Sequence, residues 1–361
     1  MKVGILTFPH SPSLGAMLQM GALYRTVEEM GHDVEIINYV SEKVNHKQVQ
    51  EKTVKAVLIK ILSALFIKSP AQSYCEFESK LKMFPTKTIS SEKDMEKAAK
   101  HFDRIIVGSD QVWNPVVTGH DLNFYLKFCK DSCKKASYAA SFGYMQADNE
   151  YSDKIAELLK DFKYLSVREK DGQKIVKDLT GRKAELVLDP TLLVEKKYFQ
   201  DIKISSNRKK KYILFFCIKP SRNLYNIAEL YASKYGYELV TIGGRMIDKF
   251  NPRKHPAYGI GPKEFLGLID GAQCVFTNSF HGMAVSVALN RDFFVEFSSD
   301  TNSRLINLTD MLDLKDRVVN DTVPIEKKIN YAHVEQLLEQ QRTTSKKYLD
   351  YVLNDKRSID E

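Results

Sequence analysis

Residues 3–39 read VGILTFPHSPSLGAMLQMGALYRTVEEMGHDVEIINY, and this stretch decides the fold. The apolar run 3–7 predicts a strand, residues 8–15 predict a loop because of their Pro, Ser and Gly, and residues 17–30 predict a helix. A second apolar run at 34–39 predicts the next strand. A strand–loop–helix–strand start is typical of a doubly wound α/β sheet, in which ligands bind in loops at the carboxyl ends of the strands. The loop 8–15 is therefore a candidate wall of a binding site.

The same alternation starts again beyond a lysine-rich polar stretch at residues 205–211, which we interpret as a linker. We therefore predict an α/β chain of two Rossmann-like domains, residues 1–204 and 205–361, that face a cleft, with a charged helical tail at 334–353. Clefts between domains are common ligand sites. Further strands are predicted at 104–107, 137–140, 164–167, 185–188, 212–216 and 238–242, and further helices near 224–235 and from Pro262 onward.

Composition and charge narrow the class of protein. The chain has 361 residues, 43 % of them apolar, and a net charge of +8. This supports substantial cores, and the basic excess suits an anionic small ligand, a membrane surface or a nucleic acid. No nucleic-acid motif is present, so we do not predict nucleic-acid binding. The five cysteines show neither CxxC nor zinc spacing, and we predict no metal site. Because the chain starts on a strand without a signal-peptide pattern, we expect a cytoplasmic protein.

Residues 273–289 read QCVFTNSFHGMAVSVAL and predict a strand, a turn and a helix with His281 in its first turn. Free backbone N–H groups and the positive end of the helix dipole favour an anion such as phosphate there. The same field disfavours an imidazolium, so we expect a neutral His281 that can act as a base. The alternative is a buried histidine in a helix that Ser279 caps. This stretch alone favours neither interpretation.

The chain resembles the polysaccharide pyruvyl transferase family from its first strand to about Arg317. It departs from related chains at Ser13–Leu14, where they often carry Asn-Tyr or Asn-Phe. The segments that carry the resemblance are residues 15–19 (GAMLQ), 108–114 (GSDQVWN), 137–143 (SYAASFG), 166–169 (SVRE), 188–191 (LDPT), 261–265 (GPKEF), 277–282 (TNSFHG) and 303–305 (SRL).

This resemblance implies a fold like that of the two-domain GT-B glycosyltransferases. It also implies transfer of a carboxyethylidene (pyruvate ketal) group from phosphoenolpyruvate to a sugar of a surface polysaccharide or its polyprenyl-diphosphate-linked precursor. Phosphate is released, and no cofactor or metal is required. Domain 1–204 would then be the acceptor side and domain 205–361 the phosphoenolpyruvate side. Two alternatives remain: a GT-B glycosyltransferase that uses a nucleotide sugar, and a catalytically silent binding member.

The expected catalytic residues are His281, Arg168 and Asp110. Arg168 follows an apolar strand, where its guanidinium could fork onto the carboxylate or phosphate of phosphoenolpyruvate; the alternative is a surface ion pair with Glu169 or a neighbouring acid. Asp110 could bind sugar hydroxyls or cap the segment after it, and Trp113 could stack on a sugar, although we favour packing. Asp189, before Pro190, is expected to be structural. The other candidates for substrate binding are Gly15, Ser109, Gln111, Asn114, Asn278, Ser279, Phe280, Arg245 and Arg304.

Residues 54–67 read VKAVLIKILSALFI and form an apolar stretch with interspersed lysines. It is too short to span a bilayer as a helix. One interpretation is an interfacial helix that brings the protein to a lipid-linked acceptor. The default interpretation is a helix packed within its domain whose lysines reach solvent.

Overall fold

A computed structural model describes residues 1–41, 43, 70–143, 151–242, 255–257, 259–297, 303–319, 322, 324 and 327–355. Arg245 and the stretch 54–67, both singled out in the sequence, lie outside these described residues. Contacts within the chain define two compact units. Unit 1 takes the described residues within Met1–Val57, Glu78–Val194 and Glu339–Glu361, and unit 2 takes those within Leu58–Phe77 and Glu195–Leu338.

Unit 1 is built on five parallel strands in the order β3–β2–β1–β4–β5. Strand β1 lies in the middle, with Val3 opposite Val34 of β2 and Arg104 of β4. The strands are β1 (Lys2–Leu6), β2 (Asp33–Tyr39), β3 (Met83–Ile89), β4 (Arg104–Val107) and β5 (Lys135–Ser137); a separate pair is β6 (Ser166–Val167) and β7 (Glu185–Leu186). The helices are Leu14–Glu29, Glu92–His101, Pro115–Thr118, Ser152–Lys160 and Lys170–Thr180, with short 3₁₀ helices at Leu122–Tyr125, Ser132–Lys134 and Pro190–Leu192.

Unit 2 has a second parallel sheet, in the order β10–β9–β8–β11–β12. Its strands are β8 (Tyr212–Phe216), β9 (Glu238–Ile242), β10 (His255–Ala257), β11 (Val275–Thr277) and β12 (Phe293–Val295). Its helices are Lys196–Ile202, Arg222–Tyr235, Pro262–Gly271, Phe280–Ala288 and Ser303–Met311, with a 3₁₀ helix at Lys315–Arg317. The helix Pro70–Glu78 ends at the border residue Glu78, and the helix Tyr331–Asn354 runs from unit 2 into unit 1.

The predicted α/β fold with two Rossmann-like sheets is confirmed. Strands 104–107, 212–216 and 238–242 have the predicted bounds. The strand predicted at 137–140 instead spans Lys135–Ser137, and Ala139 has a φ of +50°, which is outside the extended region.

The border between the units differs from the predicted division at 204/205. The segment after Glu195 packs on unit 2, where Ile204 N–H donates to the Lys263 carbonyl oxygen at 2.9 Å. The C-terminal helix returns to unit 1 through side-chain hydrogen bonds. The Ser345 hydroxyl accepts the Leu188 N–H at 2.9 Å, and the Tyr348 hydroxyl donates to the Ser137 carbonyl oxygen at 3.0 Å. These polar contacts join residues too distant in sequence for a pattern to reveal.

All five cysteines carry free thiols. Among the helices that the structure describes, none is both long enough and apolar enough to cross a membrane.

Candidate functional site

The His281 turn has the predicted local structure. Strand β11 ends at Thr277, and the helix Phe280–Ala288 follows with Ser279 as its N-cap. The Ser279 hydroxyl accepts the Gly282 N–H at 3.3 Å, and the Thr277 hydroxyl accepts the Ser279 N–H at 3.0 Å. His281 therefore lies at the positive end of the helix and is only 7 % exposed. Both the cap and the buried histidine are present, so the functional role of His281 stays a prediction.

Gly282 allows this helix to start close to the sheet. A Cβ atom at this position would lie 2.5 Å from Thr277 Oγ1 and 3.2 Å from Phe216 Cδ1. Thr277 Oγ1 cannot easily withdraw, because it donates to the Phe216 carbonyl oxygen at 2.5 Å. A glycine in the first turn thus fixes the helix start above the carboxyl ends of β8 and β11.

Among the described residues, Arg304 is an arginine that lies close to this turn. It lies near the start of the helix Ser303–Met311, and its guanidinium carbon is 5.8 Å from the centre of the Phe280 ring. That distance is within the range of a cation–π contact. The Phe280 ring in turn lies edge-on to the His281 imidazole, with ring centres 5.2 Å apart. Phe280, His281 and Arg304, all predicted site residues, therefore form one cluster in unit 2.

Asn278 holds the neighbouring loop with its side chain. Its Oδ1 accepts the Ile218 N–H at 3.0 Å, and its Nδ2 donates to the Lys219 carbonyl oxygen at 2.8 Å. The loop after β8 is thereby fixed beside the His281 turn. Burial raises the pKa of the Cys217 thiol in this loop to about 12, so the thiol stays protonated near neutral pH and is not a ready nucleophile.

A buried ionic cluster, which we call the Arg168 cluster, lies in unit 1 and consists of Arg168, Asp110, Glu169 and Asp189. Arg168 donates from Nη1 to Asp189 Oδ2 at 2.7 Å and from Nη2 to Asp110 Oδ1 at 3.0 Å. Its Nε lies 3.7 Å from Glu169 Oε2. Burial alone would lower the pKa of Arg168, but the three carboxylates raise it overall, so the guanidinium stays charged.

Exposure differs sharply within the Arg168 cluster. The side chains of Arg168 and Glu169 are each 1 % exposed and that of Asp189 is 0 % exposed, whereas that of Asp110 is 15 % exposed. The surface ion pair considered for Arg168 is therefore a buried one. The guanidinium is enclosed by protein carboxylates, and Asp110 is the member of the cluster that solvent reaches most.

Asp189 is structural, as its place before Pro190 predicted, and it also belongs to the ionic cluster. Its Oδ1 accepts the backbone N–H of Thr191 at 3.0 Å and the Thr191 hydroxyl at 2.7 Å. Its Oδ2 accepts the Ser109 hydroxyl at 3.0 Å as well as Arg168. Ser109, a candidate for substrate binding, thus uses its hydroxyl to join the loop after β4 to this cluster.

The remaining candidates after β4 mostly shape the loop. Asn114 caps the helix Pro115–Thr118 by accepting the Val116 N–H at 2.9 Å, and it donates to Gln111 Oε1 at 2.7 Å. Trp113 is 0 % exposed and donates from its indole to the Phe124 carbonyl oxygen at 3.0 Å, which fits the packing role that the sequence favoured.

The first helix connects the loop after β1 to the loop after β4. Gly15 is buried in the first turn of the helix Leu14–Glu29. Four residues on, Gln19 Oε1 accepts the Ser109 N–H at 3.2 Å, while Gln19 Nε2 donates to the Thr7 hydroxyl at 2.9 Å. Gln19 lies in segment 15–19, which carries the resemblance to the family, but nothing else in the sequence singled out its side-chain amide. It ties the loops after β1 and β4 together.

His10 was missed by sequence reasoning. Its Nδ1 lies 2.8 Å from Glu78 Oε2, and its Nε2 lies 2.8 Å from Asn38 Oδ1. The Asn38 amide has a fixed orientation, because its Nδ2 donates to the carbonyl oxygens of Pro85 and Thr86. Oxygen acceptors on both sides require both ring nitrogens to donate, which only an imidazolium can do. The hydrogen bond to Glu78 is the largest cause that raises the pKa of His10.

Solved structures that resemble this chain share its fold across nearly their whole length. The UDP-GlcNAc 2-epimerase from Neisseria meningitidis bound to UDP-GlcNAc is 11 % identical, with 98 % of this chain and 99 % of that one covered and a TM-score of 0.54. The S. aureus MnaA-UDP co-structure is 12 % identical, with 98 % and 97 % covered and a TM-score of 0.54. These neighbours have GT-B-like folds, so the predicted fold class is confirmed.

No curated protein sequence matches the chain. A family model described as polysaccharide pyruvyl transferase matches residues 14–295, a range that includes both the Arg168 cluster and the His281 turn. The match covers well over half of the 361 residues. The chain therefore belongs to the polysaccharide pyruvyl transferase family.

Proposed function

We propose that the protein transfers a carboxyethylidene group from phosphoenolpyruvate to a sugar of a surface polysaccharide or of its lipid-linked precursor. Membership of the family supports the class of reaction. The observation that carries the choice of donor is the cluster in unit 2, where a capped helix start, the His281 imidazole and the Arg304 guanidinium lie together. This combination suits a small ligand with more than one negative group.

Phosphoenolpyruvate carries a phosphate and a carboxylate, so its site needs several fixed positive groups. The first turn of the helix Phe280–Ala288 supplies backbone N–H groups and a positive dipole end. Arg304 adds a permanent charge, and its contact with the Phe280 ring limits the orientations of the guanidinium. We assign phosphoenolpyruvate binding to this turn and to Arg304.

The reaction conserves its atoms and charges without a further reactant. A proton adds to the methylene carbon of phosphoenolpyruvate, which becomes a methyl group, and the central carbon gains oxocarbenium character. One sugar hydroxyl attacks this carbon, the bond from carbon to the phosphate oxygen breaks, and phosphate leaves. A second hydroxyl then attacks and closes the ketal. Of the two hydroxyl protons, one balances the proton on the new methyl group and the other leaves with phosphate.

His281 is the group that we assign to proton transfer. Its imidazole stands at the helix start where the donor is proposed to bind, and an imidazole can take a proton from an attacking hydroxyl or give one to the methylene carbon. Its burial excludes most bulk water from this proton. Both proton-transfer roles require the same position beside the donor.

The sugar acceptor is assigned to unit 1, where Asp110 reaches solvent beside the loop after β4. A carboxylate accepts hydrogen bonds from sugar hydroxyls, and the carboxyl ends of parallel strands are the usual place for ligands. For an acceptor on a polyprenyl diphosphate, the stretch 54–67 is the candidate for contact with the membrane surface. Flotation of the protein with anionic liposomes, compared between wild type and Lys55→Glu/Lys60→Glu, tests that contact.

Phosphate release from phosphoenolpyruvate, measured against a panel of free and lipid-linked sugars, tests the proposed function. We expect release that depends on the acceptor and that follows the amount of pyruvylated sugar. Nucleotide sugars offered in place of phosphoenolpyruvate form the counter-test. Release of nucleotide, with none of phosphate from phosphoenolpyruvate, would identify a glycosyltransferase instead.

A further inference from the structure

We infer that His10 is a positioning residue for the sugar acceptor: its protonated ring holds the loop after β1, residues 7–13, beside the loop that carries Asp110. This inference rests on the proposed function and deepens it, because it concerns the acceptor side of the same reaction. Three observations support it: the contacts of His10, the backbone conformation at His10, and the link between the loops after β1 and β4.

Glu78 holds His10 by both its backbone and its ring. Glu78 Oε1 accepts the His10 backbone N–H at 2.8 Å, and Glu78 Oε2 lies 2.8 Å from Nδ1 of the ring. The side chain of Glu78 is 11 % exposed and that of His10 is 40 % exposed, so the carboxylate is the more enclosed partner. Both residues belong to unit 1. One carboxylate therefore fixes the backbone and the side chain of the same loop residue.

The second ring nitrogen faces an acceptor whose direction is fixed. Nε2 of His10 lies 2.8 Å from Asn38 Oδ1. Asn38 Nδ2 donates to the carbonyl oxygens of Pro85 and Thr86 at 3.2 Å each, and the Thr88 hydroxyl donates to Asn38 Oδ1 at 3.3 Å. The ring must therefore donate from both nitrogens, and loss of one proton leaves a nitrogen lone pair opposite an oxygen.

The surroundings of the ring favour its protonated form. The helix Pro70–Glu78 presents the Glu78 carboxylate, whereas β2 presents the neutral amide of Asn38 and the loop 7–13 has no ionisable side chain besides His10. The hydrogen bond to Glu78 is the largest cause that raises the pKa of His10 above its ordinary value of 6.5, and burial opposes it. The hold on the loop is thus complete at low pH and weakens as the pH rises through the raised value.

The backbone at His10 has a conformation that needs support. Its φ is +60°, in the left-handed region that residues other than glycine adopt rarely. A residue in such a conformation persists when the surrounding structure holds it there. The contacts with Glu78 and Asn38 supply that support, so a loop that loses them is expected to leave this conformation.

The loop that His10 holds is the neighbour of the loop that carries Asp110. Strands β1 and β4 pair in parallel, so the loops that follow them leave the same edge of the sheet. The Thr7 hydroxyl donates to the Ser109 carbonyl oxygen at 3.3 Å, and Gln19 contacts both loops. The position of residues 7–13 therefore sets one side of the space in which a sugar can reach the Asp110 carboxylate.

Glu78→Gln tests the inference, because it removes the need for the proton on His10. The amide of this variant can keep both contacts with a neutral ring: its oxygen accepts the His10 backbone N–H, and its NH₂ group donates to Nδ1, while Nε2 keeps its proton for Asn38. The KM values for the acceptor and for phosphoenolpyruvate are measured by phosphate release at about pH 5.5 and about pH 9, on either side of the ordinary histidine range. Comparison of proteins at the same pH cancels the effects of other ionising groups.

We expect the wild-type KM for the acceptor, relative to that of Glu78→Gln, to rise about 10-fold between the two pH values, as the loss of a charge-assisted hydrogen bond causes. The KM for phosphoenolpyruvate should stay within about 2-fold by the same comparison, because the donor is assigned to unit 2 and only one loop of unit 1 is released. His10→Ala should show the high acceptor KM at both pH values. Wild type and His10→Ala should therefore differ at the lower pH and converge at the higher one, which carries the test if Glu78→Gln does not fold.

His101→Gln is the matched control. His101 Nε2 lies 3.2 Å from Glu35 Oε2, so this is another histidine–glutamate pair of unit 1, but Glu35 lies near the start of β2 and Asn38 near its end. We expect His101→Gln to keep the wild-type pH dependence of the acceptor KM. A nuclear magnetic resonance titration of the His10 ring, assigned by its absence in His10→Ala, adds a readout that needs no substrate. Its midpoint should lie above 6.5 in wild type and fall in Glu78→Gln.

Three results would overturn the inference and leave the proposed function standing. They are an acceptor KM with the same pH dependence in wild type and Glu78→Gln, a folded His10→Ala with the wild-type acceptor KM at the lower pH, and a titration midpoint below 6.5 in wild type. A wild-type protein that releases no phosphate from phosphoenolpyruvate with any acceptor would instead overturn the proposed function, and the acceptor role of His10 with it.

Discussion

Arg168 lies within the range 14–295 that the family model matches, and Arg304 lies beyond it; the structure also gives the two arginines different surroundings. Arg168 is enclosed by Asp110, Asp189 and Glu169, whereas the guanidinium of Arg304 lies over the Phe280 ring beside His281. The first guanidinium pairs with three carboxylates, of which those of Asp189 and Glu169 are buried, while the second adds its charge to the positive end of a helix. This difference is why we assign the donor to Arg304 and the acceptor to the Asp110 end of the Arg168 cluster.

His281→Ala is expected to lower kcat by about two to four orders of magnitude, which is the usual contribution of a general acid or base. Steady-state phosphate release measures the effect, and thermal unfolding checks that the variant is folded. His333→Ala is the control, since His333 is 46 % exposed and lies far along the chain from the turn. Near-normal turnover in a folded His281→Ala would remove His281 from the chemistry.

At the residue scale, the sequence predicts local roles better than partnerships. The cap at Ser279 and the structural role of Asp189 follow from residue type and position, because each depends on a few neighbouring residues. The ion pairs of Arg168 join residues up to 58 positions apart, and no local pattern specifies which carboxylates meet it. His10 gave only a weak signal, a histidine in the loop after the first strand, and its acceptors come from two other segments.

The strand–turn–helix element depends on the missing side chain of Gly282. Gly282→Ala places a Cβ atom 2.5 Å from Thr277 Oγ1, so the helix must move away from the strand. We expect a loss of about 1–3 kcal/mol in the free energy of unfolding, which is typical of overpacking, and a loss of activity with it. Urea unfolding measures the loss in the free energy of unfolding.

Ser286→Ala, one turn further along the same helix, is the matched control for Gly282→Ala. It removes only the hydroxyl group that donates to the Gly282 carbonyl oxygen at 2.7 Å. We expect it to retain activity. If Gly282→Ala were as stable and as active as wild type, neither stability nor activity would depend on the close approach of helix and strand.

The loop after β1 is joined to β2 and to Glu78 by the His10 imidazolium, so its contribution to stability depends on pH. The pKa of His10 is raised in the folded protein above its ordinary value of 6.5. A raised histidine pKa gives stability that is fully present below the unfolded value and is lost as the pH rises through the folded value.

Wild type should therefore exceed His10→Gln in thermal midpoint by more at about pH 5 than at about pH 9, on either side of the ordinary histidine range. Glu78→Gln removes the main charged partner of His10, and it should lose the same pH-dependent part of the thermal midpoint. Equal differences at both pH values would show that His10 is not held as an imidazolium.

Elements were predictable where the apolar pattern was continuous. Strands 212–216 and 238–242 were found with the bounds that the structure has. Strand β3 was missed because Pro85 and Lys87 interrupt its apolar pattern, although it pairs with β2 at the edge of the sheet. The loop positions with positive φ, such as Asp110 and Ala139, were not visible either, because neither residue is glycine.

At the scale of the whole molecule, fold and function rest on different observations. Structures of UDP-binding proteins at 11–12 % identity share the fold with this chain, but a shared fold does not determine a substrate. The family is shown by the family model that matches residues 14–295. The contacts place the border of the units at Glu195 and return the residues from Glu339 onward to unit 1, and that return involves hydrogen bonds that a sequence pattern does not reveal.

The most direct test of the central claim is the product formed from phosphoenolpyruvate and a sugar acceptor in heavy water. If the donor is protonated at its methylene carbon, the product carries a ketal whose methyl group contains one deuterium, and one phosphate is released for each ketal. Nuclear magnetic resonance of the purified product measures both the ketal and its isotope content. A product without a ketal, or phosphate release that proceeds without any acceptor, would contradict the account.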